Sequence, residues 1–215
     1  MGQASPSALR PSSDRASAVL FDLDGTLTRP YFDFDAIRRE IGLPTEPRTP
    51  ILEAMQTMTP ADRARAEVIL HRHERQAAED SQLWDDAHAV LAAIRSAGIP
   101  VAVMTRNSRQ SVETVMARHG LRFDAAYSRE DGPIKPAPDP VLNLCTQLQA
   151  DPARAWVVGD YLFDLEAGNA AGAVTVLMLG DAPVPAWADQ ARHVIRRLNE
   201  LLELLAIPSV RDTTM

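Results

Sequence analysis

Two aspartates separated by one residue, Asp22 and Asp24, close a short apolar run, Ala18-Val19-Leu20-Phe21, and Gly25-Thr26 follows at once. A run of this length bounded by turn residues predicts a fully buried strand. Side chains alternate along an extended chain, so the two carboxylates point the same way, and Gly25 lets the backbone turn where the strand ends. Two anions in such a setting are costly without compensation. A divalent cation, and a chemical task for each acid, would offset that cost. Similar junctions recur downstream: Thr105 follows a second apolar run, Lys135 sits in the Pro-rich stretch 132–140, and Asp160 and Asp164 follow a further run. Each residue type fits one step of phosphoryl transfer. A carboxylate can attack phosphorus and form an aspartyl-phosphate. A second acid can protonate the leaving oxygen and then activate water. A hydroxyl and an ammonium can hold the phosphoryl oxygens as charge grows on them. Further carboxylates suit Mg²⁺, which prefers octahedral oxygen ligands.

Positioning these residues requires strands that end side by side. Strands are expected at 18–21, 99–104, 125–128, 155–158, 174–178 and 193–195. Helices are expected between them: one capped by Asp85 or Asp86 and ended by Gly98, one from Ser108 to Gly120, one from Asp139-Pro140, a small-residue helix reaching Gly172, and a last one at 198–205. Strands alternating with helices imply an α/β fold with a doubly wound, Rossmann-like parallel sheet. Such sheets bind ligands beyond the carboxyl ends of their strands. Residues 30–80 read differently. Short helices at 35–43 and 51–57 are separated by prolines, and Thr59-Pro60-Ala61-Asp62 is a strong start for a helix running to about Asp80.

The chain has 215 residues and a net charge of −7, which argues against a nucleic-acid partner. No apolar run reaches the roughly 18 residues needed to span a bilayer. Residues 1–16 are rich in Ser, Pro and Ala without an apolar core, and are expected to form a disordered tail rather than a secretory signal. A single cysteine, Cys145, excludes an internal disulfide and suits the cytoplasm.

The order and spacing of these residues resemble the four motifs of the haloacid dehalogenase superfamily of phosphohydrolases, over about Val19 to Leu179. The resemblance implies that Asp22 is the nucleophile and a metal ligand. It makes Asp24 the general acid/base, with its backbone carbonyl on the metal. Thr105 and Lys135 would bind the transferring phosphoryl group. Asp160 would ligate Mg²⁺ directly, and Asp164 directly or through water. It further implies a core at 17–29 and 81–207, a small all-helical cap at 30–80 resembling the phosphoglycolate phosphatase-like branch, and a second tail at 208–215. The activity expected is a Mg²⁺-dependent phosphatase on a small phosphorylated metabolite, phosphoglycolate-like or a sugar phosphate, with no nucleic-acid or membrane partner, working as a monomer or homodimer. Alternatives are a phosphomutase of the same superfamily, a haloacid dehalogenase, which Asp24 counts against, and a non-catalytic phospho-binding module.

Two departures from the family pattern bear on the substrate: Tyr161 follows the first acid of the fourth motif, and Arg106 stands between Thr105 and Asn107. Arg106 either meets a substrate carboxylate or lies solvated at a helix entry. Tyr31, Phe34 or a cap arginine would contact the leaving group. The run Arg63, Arg65, Arg72 and Arg75 reads as a solvated face, His71 and His73 as non-ligating, Met55 and Met58 as cap core, and Cys145 as inert packing.

Overall fold

The computed structural model describes residues 15–208. Apart from residues 15, 16 and 208, the expected tails lie outside that range. Six strands, β1 (Ala18–Phe21), β2 (Val101–Met104), β3 (Ala125–Tyr127), β4 (Ala155–Gly159), β5 (Val174–Met178) and β6 (His193–Ile195), form one sheet in the order β3-β2-β1-β4-β5-β6. Every neighbouring pair is parallel. The chain winds outward from β1 through β2 and β3, then returns to β1's other side for β4 to β6, so β1 and β4 flank the switch point.

Register turns this topology into a site. Phe21 lies opposite Val103 on one side and Val158 on the other. The residues just past them, Asp22, Thr105 and Asp160, therefore leave the sheet at nearly the same level. The central strands β1 and β2 are buried along their whole length and β4 and β5 nearly so, which is why their sequences are almost continuously apolar rather than alternating. Val19, Phe21, Val101, Val103, Val158 and Val176 pack against Val90, Leu91 and Ile94 of α4 (Ala87–Ser96), Val112 and Val115 of α5 (Arg109–His119), and Leu201 and Leu202 of α8 (Glu200–Leu204). On the other face Leu20, Ala102, Met104 and Val157 meet Val141, Leu144 and Cys145 of α6 (Asp139–Gln147) and Ala167 of α7 (Leu162–Ala170).

Between β1 and α4 lie three helices and no strand: α1 (Phe34–Ile41), α2 (Ile51–Gln56) and α3 (Pro60–Asp80). Ile37, Ile41, Ile51, Met55, Ala66 and Leu70 form their own apolar cluster. The 21-residue α3 is about 30 Å long and also reaches the sheet's core through Ala78. Thr59 caps it as expected, its Oγ1 accepting from the Asp62 N–H at 3.2 Å. Ser108 likewise caps α5, and Gly120 ends it in the left-handed conformation.

Two expectations need correction. Asp86 makes no side-chain cap on α4; its Oδ2 instead accepts from the Asn199 N–H at 2.9 Å, tying α4 to the approach to α8. The final helix begins at Glu200 rather than 198, because Leu198 is drawn fully into the core as part of a turn. No helix among the described residues is long and apolar enough to cross a membrane.

Candidate active site

All six residues singled out by the sequence meet at the carboxyl ends of β1, β2 and β4, in the loop before α6 and in the first turn of α7. They line one cavity of about 330 Å³ between the sheet and α1–α3. Lys135, only 3% exposed, is its electrostatic centre. Its ammonium donates to Asp22 Oδ1 and to Asp164 Oδ1, both at 2.5 Å, and to the Met104 carbonyl at 3.1 Å. Burial alone would lower its pKa, but Asp164 and Asp22 beside it more than reverse that, so it stays charged. Asp164 reaches the site from the first turn of α7, where its Oδ2 also accepts from the Tyr161 N–H at 3.1 Å. Asp160 accepts from the Thr26 hydroxyl at 3.4 Å.

The Gly25-Thr26 pair now has a physical reason. Gly25 has φ of +88°, and a Cβ there would sit 2.2 Å from Asp160 Oδ2. Only glycine lets the turn after β1 pass beneath that carboxylate.

The site carries more acid than base. Burial pushes the Asp22 carboxyl up to about 6, with Lys135 pulling it back and Asp164 pushing it further. Asp24 rises to about 7, first through burial and then through the charges of Asp22 and Glu74, while Asn107 Nδ2 donates to its Oδ2 at 2.5 Å. Asp160 is held well above the usual carboxylate range by burial, Asp22 and Asp164. Asp22, Asp160 and Asp164 each offer an oxygen within 4.8 Å of the others'. Three hard oxygen donors facing one ammonium match the needs of a small divalent cation. The Asp24 side chain stands outside this triad, engaged by Asn107. Thr105 is buried, and its Oγ1 accepts from the Asn107 N–H at 3.1 Å, leaving its own proton free to donate.

Arg106 is not solvated at a helix entry. Its Nη2 pairs with both carboxylate oxygens of Glu53 on α2, at 2.7 and 2.6 Å. A second nitrogen donates to the Lys135 carbonyl, and the guanidinium lies 4.5 Å from the Phe163 ring centre. Tyr161 lies 53% exposed at the cavity's edge, in edge contact with Phe163 and Trp187. Tyr31 and Phe34 line the opening. The basic run of α3 is exposed, Arg63 pairing with Glu67 and Arg72 with Glu40; the arginines that reach the cavity are Arg38, Arg48 and Arg106. His73 also pairs with Glu40.

Sequence reasoning missed Glu53, Glu74 and Arg129. A signal for Glu74 was present: it falls on the stripe Ala66, Leu70, Ala77 and Ala78 of α3, where a carboxylate needs a partner. Arg129, after β3, supplies it by donating to Glu74 Oε1.

The model of the haloacid dehalogenase-like hydrolase family matches residues 16–172. An uncharacterized hydrolase of Saccharomyces cerevisiae is 34% identical over 197 residues, covering 87% of this chain and 90% of that protein. An N-acetylmuramic acid 6-phosphate phosphatase of Pseudomonas aeruginosa is 31% identical, covering 75% of this chain and 80% of its own. Among solved structures, a hydrolase from Pseudomonas syringae superposes with a TM-score of 0.76 at 18% identity, over 88% of this chain and 98% of that one, a likeness of fold.

Proposed function

This chain belongs to the haloacid dehalogenase-like hydrolase family, and we propose that it is a Mg²⁺-dependent phosphomonoesterase acting on a small phosphorylated metabolite. The observation that carries the reading is the triad Asp22, Asp160 and Asp164 gathered around Lys135 at the switch point. Asp22, Asp160 and Asp164 would hold the cation, with the Asp24 carbonyl as the further ligand implied by the family pattern. When bound, the ion supplies positive charge beside the phosphoryl oxygens.

The chain's own residues perform the remaining steps. An Asp22 carboxylate oxygen attacks phosphorus, and the bond from phosphorus to the leaving oxygen breaks. Asp24, whose proton is favoured by burial and by the charges of Asp22 and Glu74, gives it to that oxygen. The ionised Asp24 then takes a proton from water as the water oxygen attacks phosphorus, freeing phosphate and regenerating Asp22. Asn107 orients Asp24, while Thr105 and Lys135 hold the phosphoryl oxygens. Residues 30–80 serve as a cap that encloses the leaving group and excludes water, over a core at 17–29 and 81–207. The working form is a cytoplasmic monomer or homodimer.

Hydrolysis of p-nitrophenyl phosphate with Mg²⁺ and with EDTA tests this. Turnover should need the metal and vanish in Asp22→Asn. Metal-independent turnover that survives Asp22→Asn overturns the mechanism.

A further inference from the structure

Glu74 is the one carboxylate among the described residues of the cavity wall that neither holds the proposed cation nor transfers a proton or a phosphoryl group in the proposed reaction. It reaches the wall from α3 and is 3% exposed. One of its oxygens takes the Arg129 guanidinium. The other, Oε2, is buried with no hydrogen-bond partner. An unpartnered anionic oxygen is expensive, and it persists where something else completes it.

The cations of the wall are, by contrast, already committed. Arg106 is neutralised by both oxygens of Glu53. Arg48 pairs with Asp35 at 2.7 Å and lies 3.7 Å from Glu46. Arg38 lies 3.7 Å from the same Asp35 and donates to the Phe34 and Thr49 carbonyls. The unpartnered Nε of Arg38 and Oδ1 of Asp35 belong to this one ion pair. Among the described residues, the wall therefore holds one unpartnered carboxylate oxygen on α3 and no unpaired guanidinium.

Resting on the phosphomonoesterase reading, we propose that Glu74 sets the substrate class. Its free oxygen accepts a hydrogen bond from a hydroxyl or ammonium group on the leaving group, whereas a carboxylate there has no proton to give and would leave that acceptor unpaired. Phosphorylated polyols, sugars or amino alcohols fit this wall, whereas phosphoglycolate does not. Discrimination of this kind is large, because a buried polar group left unpaired penalises the wrong substrate.

The test is kcat and KM for wild type, Glu74→Gln and Glu53→Gln with four probes: p-nitrophenyl phosphate, ribose 5-phosphate, phosphoethanolamine and 2-phosphoglycolate. Wild type should favour ribose 5-phosphate or phosphoethanolamine over 2-phosphoglycolate in kcat/KM by roughly a hundredfold. Whichever of the two is favoured identifies the donor as hydroxyl or ammonium. Glu74→Gln should shrink that ratio at least tenfold, mainly through KM. Glu53→Gln, by freeing Arg106, should raise relative turnover of 2-phosphoglycolate. If both variants scale all four substrates by one common factor, Glu74 merely holds the cap and the proposal fails. So does a wild-type preference for 2-phosphoglycolate. If wild type does not hydrolyse even p-nitrophenyl phosphate, it is the underlying phosphomonoesterase reading that fails.

Discussion

Asp160 shows what the site costs the fold. Its charge is opposed by burial and by Asp22 and Asp164, with a single ammonium nearby. Replacing it with Asn removes one repelling charge and keeps the side chain's size. Asp160→Asn should therefore melt at a higher temperature than wild type in EDTA, yet gain nothing from added Mg²⁺. A lower melting temperature in EDTA would mean that Asp160 is not repelled in the native state. The pH response follows from the same imbalance. Asp22 and Asp24 rise in the folded chain from 3.8 to about 6 and about 7. A raised carboxyl contributes stability that is complete below its unfolded value and lost as pH climbs through the folded one. Metal-free protein should thus lose stability from about pH 4 to about pH 7 through these groups, and Asp24→Asn should flatten the upper part of the decline. Thermal melts in EDTA across that range check it. Gly25 belongs at this scale too. Gly25→Ala would force an L-residue to φ of +88° and drive a methyl into Asp160. Displacing a proposed metal ligand in this way should lower activity roughly tenfold to hundredfold, with apparent Mg²⁺ affinity falling in parallel.

The helices between β1 and α4 are held to the core by paired charges as well as by apolar contact. Arg129 meets Glu74 of α3, and Arg106 meets Glu53 of α2. Arg129→Ala would strand Glu74 with both oxygens unpaired in a wall that is nearly closed to water, a change worth about 3 kcal/mol. Urea unfolding should register that loss, whereas a shift under about 0.5 kcal/mol would show that water replaces the guanidinium. These pairs also explain what the sequence could not disclose. Strand ends are local events, an apolar run followed by Asp, Thr or Gly-Asp, so the strand-end positions of Asp22, Asp24, Thr105 and Asp160 and the parallel character of the sheet were legible, whereas the strand order was not. The partners of Arg106 and Arg129 lie 53 and 55 residues away. A local pattern can say that a charge on a buried stripe needs a partner, but it cannot say which one. Asp86 escaped for the same reason: its acceptor role at Asn199 spans 113 residues, whereas a helix cap would have been a neighbour.

At the scale of the whole molecule, the metal site and the sheet's far face should be thermodynamically linked, and Cys145 can report it. It is the chain's only cysteine. It is 1% exposed among Leu144, Val157 and Tyr127, on the face of the sheet covered by α6 and α7. Burial, with a small contribution from Asp151, pushes its thiol up to about 11. Near pH 8 the native thiol is therefore both covered and almost wholly protonated, while an unfolded chain exposes a thiol of pKa about 8.5. Labelling by a thiol reagent then requires the α6–α7 face to open. If that opening is global, any ligand that binds only the folded chain suppresses it by a factor of one plus its concentration over Kd. Mg²⁺ at 100 times its Kd should slow labelling about a hundredfold. Asp160→Asn, which lacks one of the proposed ligands, should label at the same rate with and without the ion. Labelling of wild type that ignores Mg²⁺ would show that α6 and α7 open on their own, leaving the triad intact beneath them.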